Sequence, residues 1–422
     1  MQNPNRLNVE QLQAKGVSIP APDSIEIGPE VDPERISGEG VVIHAGCRIF
    51  GASTRILSHV RLGEEAPATV DACQIGPGVE LRGGYFQNAV FLEGVKAGSC
   101  AHVRGGTILE EQASIAHSVG LKQTILFPYV TLGSLINFCD VFMAGGTGRD
   151  NHSEVGSSYI HFNFTPHQDK ATPSLLGDVP RGVMLDRAPI FLGGQGGLVG
   201  PCRLEYGTVI AAGTICRKDE LRPDRLIAAA GGRSINIPFR KGASTGLRRI
   251  VANNIVFVAN LIALRHWYRD IRKRFVDPER FPEDLLRALI RTVDRGIEER
   301  VRRLGGLAHK LTMVTPQPDR KGPPSPSAQI IRDLSRQTEA LADLFREKCS
   351  LDFPGKWKDA FLRHLEAAEP TGEKRYLETI TGLSPEGREA GSRWLQAVVD
   401  DTVAKAMKLL PSFGDAAGKE AG

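Results

Sequence analysis

The sequence predicts a mainly β N-terminal domain, a parallel β-helix of hexapeptide-type repeats, followed by an α-helical C-terminal region. Two observations carry this. Apolar residues recur at a spacing of six through the first part of the chain: Ile43 and Ile49, Ile75 and Leu81, Val119 and Ile125, Val130, Ile136 and Phe142, then Leu198, Leu204, Ile210 and Cys216. Glycine is concentrated in the same part, with 34 of 46 glycines in residues 1–246, whereas Trp267, Trp357 and Trp394 all come later.

A strand turns successive side chains to opposite faces, and a helix repeats roughly every 3.6 residues. A spacing of six fits short strands joined by tight corners, with one apolar residue per step pointing into a shared interior. Each step is too small to bury its own face, so only stacked coils complete the core. Glycines that follow the apolar position, as in Ile27-Gly28, Leu62-Gly63, Ile75-Gly76 and Leu132-Gly133, supply positive φ or close backbone approach. The frame slips at residues 87–106 and 145–189, which reads as bulges or looped-out insertions. A sandwich or jelly roll would show longer two-residue alternation.

The expected division is an N-terminal segment at 1–24, the β-helix at 25–245, a helical region at 246–314, a proline-rich linker at 315–327, C-terminal helices at 328–412 and a disordered tail at 413–422. Leu247, Val251, Ile255, Val258 and Ile262 share a helical face, continued by Leu264, Trp267, Ile271 and Phe275. A second helix runs from Leu285 to Val301, and further candidates span 328–348, 356–368 and 385–410. These helices are expected to cap the open end of the coil, where strand edges would otherwise be exposed.

Bulk composition excludes little. Hydrophobic content of 41%, charged content of 24% and net charge +4 over 422 residues are those of a soluble globular chain. They give no support for nucleic acid, and no apolar run approaches the ~20 residues of a membrane span. A polar start without a signal-peptide profile points to the cytoplasm. The seven cysteines form no CxxC pair and are expected to be free, small core residues. Between Arg240 and Phe275 nine Lys or Arg residues accompany a single acid, Asp270. Arg265, Arg269, Arg272, Lys273 and Arg274 form either a solvated face or a contact for an acidic partner.

The densest polar cluster lies in the second slipped region: Arg149, Asp150, Asn151, His152 and Glu154, then His161, Asn163, His167, Asp169 and Lys170. A repeat coil needs none of these for its core, and insertions on solenoids form binding faces. His152, His161 or His167 would serve as general base, with Asn163 and Lys170 positioning an anionic substrate. A metal held by His161, His167 and Asp169 is the lesser alternative, since the spacing matches no strong ligand motif.

The run from Tyr159 to Lys218 resembles the last coils of the acetyltransferase half of bifunctional UDP-N-acetylglucosamine pyrophosphorylases, also called N-acetylglucosamine-1-phosphate uridyltransferases. Asn163-Phe164-Thr165-Pro166 with Lys170 and Thr172 is similar to that family's asparagine–tyrosine–aspartate–glycine segment, and Ile210-Ala211-Ala212-Gly213-Thr214-Ile215 to its late turn. The resemblance implies a left-handed coil, a homotrimer, and transfer of an acyl group from acetyl-CoA or another acyl-CoA to a sugar phosphate or nucleotide sugar. It further implies His152 as base, Asn163, His167 and Lys170 at the substrate, and Ala212, Arg217 and Lys218 at the coenzyme. The departures are Phe164 for tyrosine, Thr165-Pro166 for aspartate–glycine, and Val155 where a second tyrosine is expected. The glycine run 193–197 would let a phosphate or pantetheine approach the backbone. The sequence shows no βαβ region with a glycine-rich loop, so the resemblance does not extend to uridyl transfer. A non-catalytic sugar-nucleotide sensor or scaffold is the alternative.

Overall fold

A computed structural model describes residues 4–163, 170–228, 246–314, 326–369 and 375–416. Residues 25–228 wind into a parallel β-solenoid of three faces. The first face carries ten strands from Glu26–Ile27 to Ile215–Cys216, and the second eight from Arg55–Ile56 to Arg203–Leu204. The third carries ten from Val42–Ile43 to Leu226–Ile227. Val90 pairs with Ile108 and Ile108 with Ile125, circuits of 18 and 17 residues, so one coil is three hexads. The chain visits the faces in the order first, second, third.

Of the predicted spacing-of-six sets, Ile43, Ile49, Ile75, Leu81, Val119, Val130, Leu198 and Ile210 are fully buried inside the coil. Ile125 and Phe142 are buried too, but on the outer side of the second face, in register with Arg55 and Gln74. Gly63 has φ +79°, and a Cβ there would meet the Cys47 Sγ at 2.3 Å, so both its conformation and its space require glycine. Gly76 needs only space, with the Glu93 backbone nitrogen 3.0 Å from where a Cβ would stand. Other corners turn through non-glycine residues at positive φ, among them Asn88, Gln112, Tyr129 and Leu135. That is why glycine alone does not mark every corner. The slip at 87–106 is a regular coil with corner lengths differing by a residue. The slip at 145–189 holds true insertions, an antiparallel hairpin (Gly146–Gly148 with Asn151–His152) and the segments flanking Ser174–Leu176.

The first helix, α1 (Pro4–Ala14), caps the N-terminal coil. Leu12 is fully buried, and the Asn5 side chain accepts from the Ile27 N–H while donating to the Ile25 carbonyl. Downstream come α2 (Val179–Gly182), α3 (Leu247–Asp270), α4 (Glu283–Val314), α5 (Pro326–Ser350), α6 (Lys356–Ala368), α7 (Tyr376–Thr381) and α8 (Pro385–Lys408). α5 begins inside the stretch expected to be linker, whose residues 315–325 lie outside the described ones. Phe413, expected to open the disordered tail, is held in place: Arg248 donates to the carbonyls of Ser412 and Phe413 and lies over the Phe413 ring. Residues 417–422 lie outside the described ones.

The long helices do not cap the coil's far end. They lie along its second face. α3 runs back toward the N-terminal coils, with Asn253 bonded to Asp219, Asn254 to the Ala171 carbonyl, Asn260 to the Val179 N–H and Tyr268 to Glu110. α4 returns, with Asp284 between Arg35 and Arg55 and Arg300 on Asp140 and Gln123. The reason is chemical: strands of the second face are apolar on both sides. Val90-Phe91, Ile108-Leu109, Ile125-Leu126 and Val141-Phe142-Met143 are all buried, whereas third-face strands alternate. Covering that face removes several large side chains from water, each contributing about 1.5–3 kcal/mol.

The basic stretch at the end of α3 and in the turn just after it is an internal joint. Arg265 holds Asp294 and the Cys349 carbonyl, Arg269 holds Asp270, Arg272 holds Glu111, and Arg274 holds Glu369. Residues Leu247–Phe275 are long and apolar enough to cross a bilayer, contrary to the expectation from run length. The apolar window is 72% buried within the protein, and its asparagines bond to the coil, as in a core helix.

Candidate functional site

His152 ends the inserted hairpin, which projects from the corner between the second and third faces. The hairpin is tied down by Arg149, whose guanidinium reaches the Gln112 carbonyl at 2.8 Å and the Tyr129 carbonyl at 3.1 Å. His152 is partly exposed, and its Nδ1 lies 2.6 Å from the Arg149 carbonyl oxygen. A carbonyl only accepts, so Nδ1 carries the proton in that bond and Nε2 carries the lone pair. A neutral imidazole held this way is an oriented base.

Asn163 and Lys170 flank the corner between the first and second faces, and Lys170 is exposed. His167, with Phe164, Thr165, Pro166 and Asp169, lies outside the described residues. Lys170 belongs to a basic strip that is not evident from the order of residues along the chain. Arg104, Lys122 and Cys139 stand in direct register on the first face. Burial raises the Cys139 thiol, and Arg104, Lys122 and Lys170 pull against that rise, which sets all three cations around it. The only sequence signal is the residue one place after each inward first-face apolar position (Val103, Leu121, Phe138), visible once the 17–18-residue circuit is known.

Arg217 and Lys218 occupy the same corner on a later coil, both exposed. Ala212 is exposed at the third corner, between third and first faces. The glycine run beside it does not fit a ligand cradle. A Cβ on Gly193 would meet the Ala212 nitrogen at 2.3 Å, on Gly194 the Ser157 carbonyl oxygen at 2.8 Å, and on Gly196 the Thr214 carbonyl oxygen at 2.8 Å. These glycines serve coil-on-coil stacking.

His161 departs from its expected place on a polar loop. It is the inward residue of the strand Ile160–Phe162, buried inside the coil, with Nε2 2.8 Å from the Ser174 hydroxyl. Burial lowers it to about 4, so it is a neutral core histidine. That removes it from the general-base and metal alternatives, and no group of three metal-ligating side chains occurs among the described residues. Val155 is wholly buried and carries no polar group toward the hairpin.

One chain therefore spreads the implied site over three corners: His152 on one, Ala212 on another, and Lys170, Arg217 and Lys218 on the third.

No protein-family model matches the chain. Among curated proteins it is similar to the bifunctional protein GlmU of Nitratidesulfovibrio vulgaris, 25% identical over 224 residues, 53% of this chain and 43% of the relative. The GlmU of Pelobacter propionicus is 27% identical over 215 residues (51% and 41%), and that of Trichlorobacter lovleyi 28% over 225 (53% and 43%). The chain thus spans less than half the length of these relatives. Together with the three-faced coil, these similarities show a hexapeptide-repeat, left-handed β-helix that resembles the acetyltransferase half of GlmU.

Proposed function

We propose that the β-helix transfers an acyl group from acetyl-CoA or a related acyl-CoA to a sugar phosphate or nucleotide sugar. The carrying observation is the 2.6 Å contact between His152 Nδ1 and the Arg149 carbonyl oxygen, which in a neutral ring puts the proton on Nδ1 and leaves Nε2 as the basic nitrogen. The coenzyme supplies an acyl group activated as a thioester. Nε2 takes the proton of the attacking amine or hydroxyl as the new bond to the acyl carbon forms; the carbon–sulfur bond then breaks and the thiolate leaves with a proton. Lys170, Arg104 and Lys122 supply positive charge for a phosphate, and Arg217 and Lys218 for the coenzyme.

Because the corners are separated within one chain, the reading requires a homotrimer in which neighbouring coils share a cleft. An exposed apolar ladder supports this: Phe191, Val209 and Leu226 stand in direct register on the third face, 40%, 38% and 71% exposed. A cytoplasmic location belongs to the same proposal, supported by seven unpaired cysteines.

The buried Val155 and the altered Phe164-Thr165-Pro166 favour a second reading, a sugar-nucleotide-binding scaffold without turnover. A thermal-shift screen with acetyl-CoA, UDP-N-acetylglucosamine and glucosamine 1-phosphate, paired with an assay for free thiol, separates them. Acyl transfer predicts stabilisation by acetyl-CoA and thiol release abolished in His152→Ala. Stabilisation by the nucleotide sugar alone, without thiol release, selects the scaffold.

A further inference from the structure

A cavity of about 500 Å³ lies where the segment after α3 and the start of α7 meet corners of the middle coils. Its inner end holds Arg272, 1% exposed, with its guanidinium carbon 3.7 Å from the Tyr376 ring centroid and 4.4 Å from that of Phe281. One amino group of Arg272 donates to Glu111. The Nε–H and Nη1–H groups have no partner, nor has the second carboxylate oxygen of Glu111. Buried charged donors left unsatisfied are costly, more so than neutral ones. The rings hold the guanidinium plane in place, so these donors are oriented before anything binds.

The unmet groups are more donors than acceptors, which calls for an acceptor-rich ligand with one donor of its own. The surrounding acids are committed elsewhere. Glu93 pairs with Arg280, Asp277 accepts from the backbone N–H groups of residues 279 and 280, and Glu378 faces Arg375. Glu110, behind Glu111, is kept protonated at neutral pH by burial and by Glu111 itself. Arg274 and Arg280 also line the cavity, paired with Glu369 and Glu93.

We propose that this cavity binds a small phosphate monoester, whose phosphoryl oxygens accept from Nε and Nη1 of Arg272 and whose hydroxyl donates to Glu111. This site is independent of the acyl-transfer reading, since His152 does not line it. It does adjoin the catalytic hairpin: Gln112 and Tyr129 line the cavity, and their carbonyls hold Arg149. Occupancy is therefore placed to stiffen the hairpin that carries His152.

The test is calorimetric titration of the full chain with glycerol 3-phosphate, inorganic phosphate and glycerol. Glycerol 3-phosphate binds saturably and more tightly than inorganic phosphate, and glycerol alone does not bind. Leu377→Trp, which fills the cavity without touching Arg272, weakens binding at least about tenfold, as does Arg272→Lys, while His152→Ala leaves it unchanged. Hydrogen exchange on the unmodified protein guards against a misfolded variant: the ligand slows exchange in residues 272–281, 375–381 and 146–152. No saturable binding means a cavity filled by water alone and overturns the proposal. So does binding that persists in a folded Leu377→Trp or disappears in His152→Ala, or exchange that the ligand leaves unchanged.

Discussion

Glu110 makes stability depend on pH in a way one substitution can isolate. Its carboxyl is buried against Glu111, accepts from the Tyr268 hydroxyl, and is raised from 4.5 to about 8, chiefly by burial and then by the Glu111 charge. The folded chain therefore binds a proton that the unfolded chain releases between pH 4.5 and 8. Stability from this group is fully present below pH 4.5 and is lost as pH rises toward 8, at about 1.4 kcal/mol per unit and roughly 5 kcal/mol in all. Glu110→Gln keeps the acceptor for Tyr268 and cannot ionise. Urea unfolding at pH 5, 6, 7 and 8 is the assay. The two proteins should be close at pH 5, and the variant should gain on the parent at each step until it is the more stable by several kcal/mol at pH 8. Parallel pH profiles would refute the assignment of a neutral Glu110, and so would a variant that is equally destabilised at every pH.

Three further outcomes are expected. Asp140→Asn strands the Arg300 guanidinium, 3% exposed, and should cost about 3 kcal/mol in urea unfolding; Arg300→Met should cost less, because burial already raises Asp140 and lets it take up a proton. Asn260→Leu removes the acceptor of the Val179 N–H and should cost about 1–3 kcal/mol, with faster exchange at the α2 amides. Phe191→Glu with Val209→Glu sets two carboxylates side by side in the apolar ladder and should leave a folded monomer in light scattering where the parent chain runs as the proposed trimer; a variant that is still trimeric would place the interface elsewhere.

The coil was legible because its signal is repeated: Ile75 and Leu81, or Leu198, Leu204, Ile210 and Cys216, report the same inward position hexad after hexad. The helices of residues 247–270 and 283–314 were legible for a similar reason, an apolar face at helical period. The path of those helices was available in principle. Val90-Phe91 and Ile125-Leu126 are doubled apolar positions where other faces alternate, and such a face needs cover. The site was legible only in part. His152 stands on an insertion, as its polar neighbours implied, but His161, nine residues on, points into the core.

Sequence alone therefore determined the architecture, since burying one apolar residue per hexad leaves only stacked coils. Only the tertiary structure decided which functional groups share a corner. A step of six moves a residue to another face, whereas a step of 17 or 18 brings it back, as from Arg104 to Lys122. An insertion breaks that rule, so His152 and Lys170, 18 residues apart, stand on different corners. The partners of Arg272 and Arg300 are set by the same rule, because a helix laid across a coil meets residues from many circuits at once.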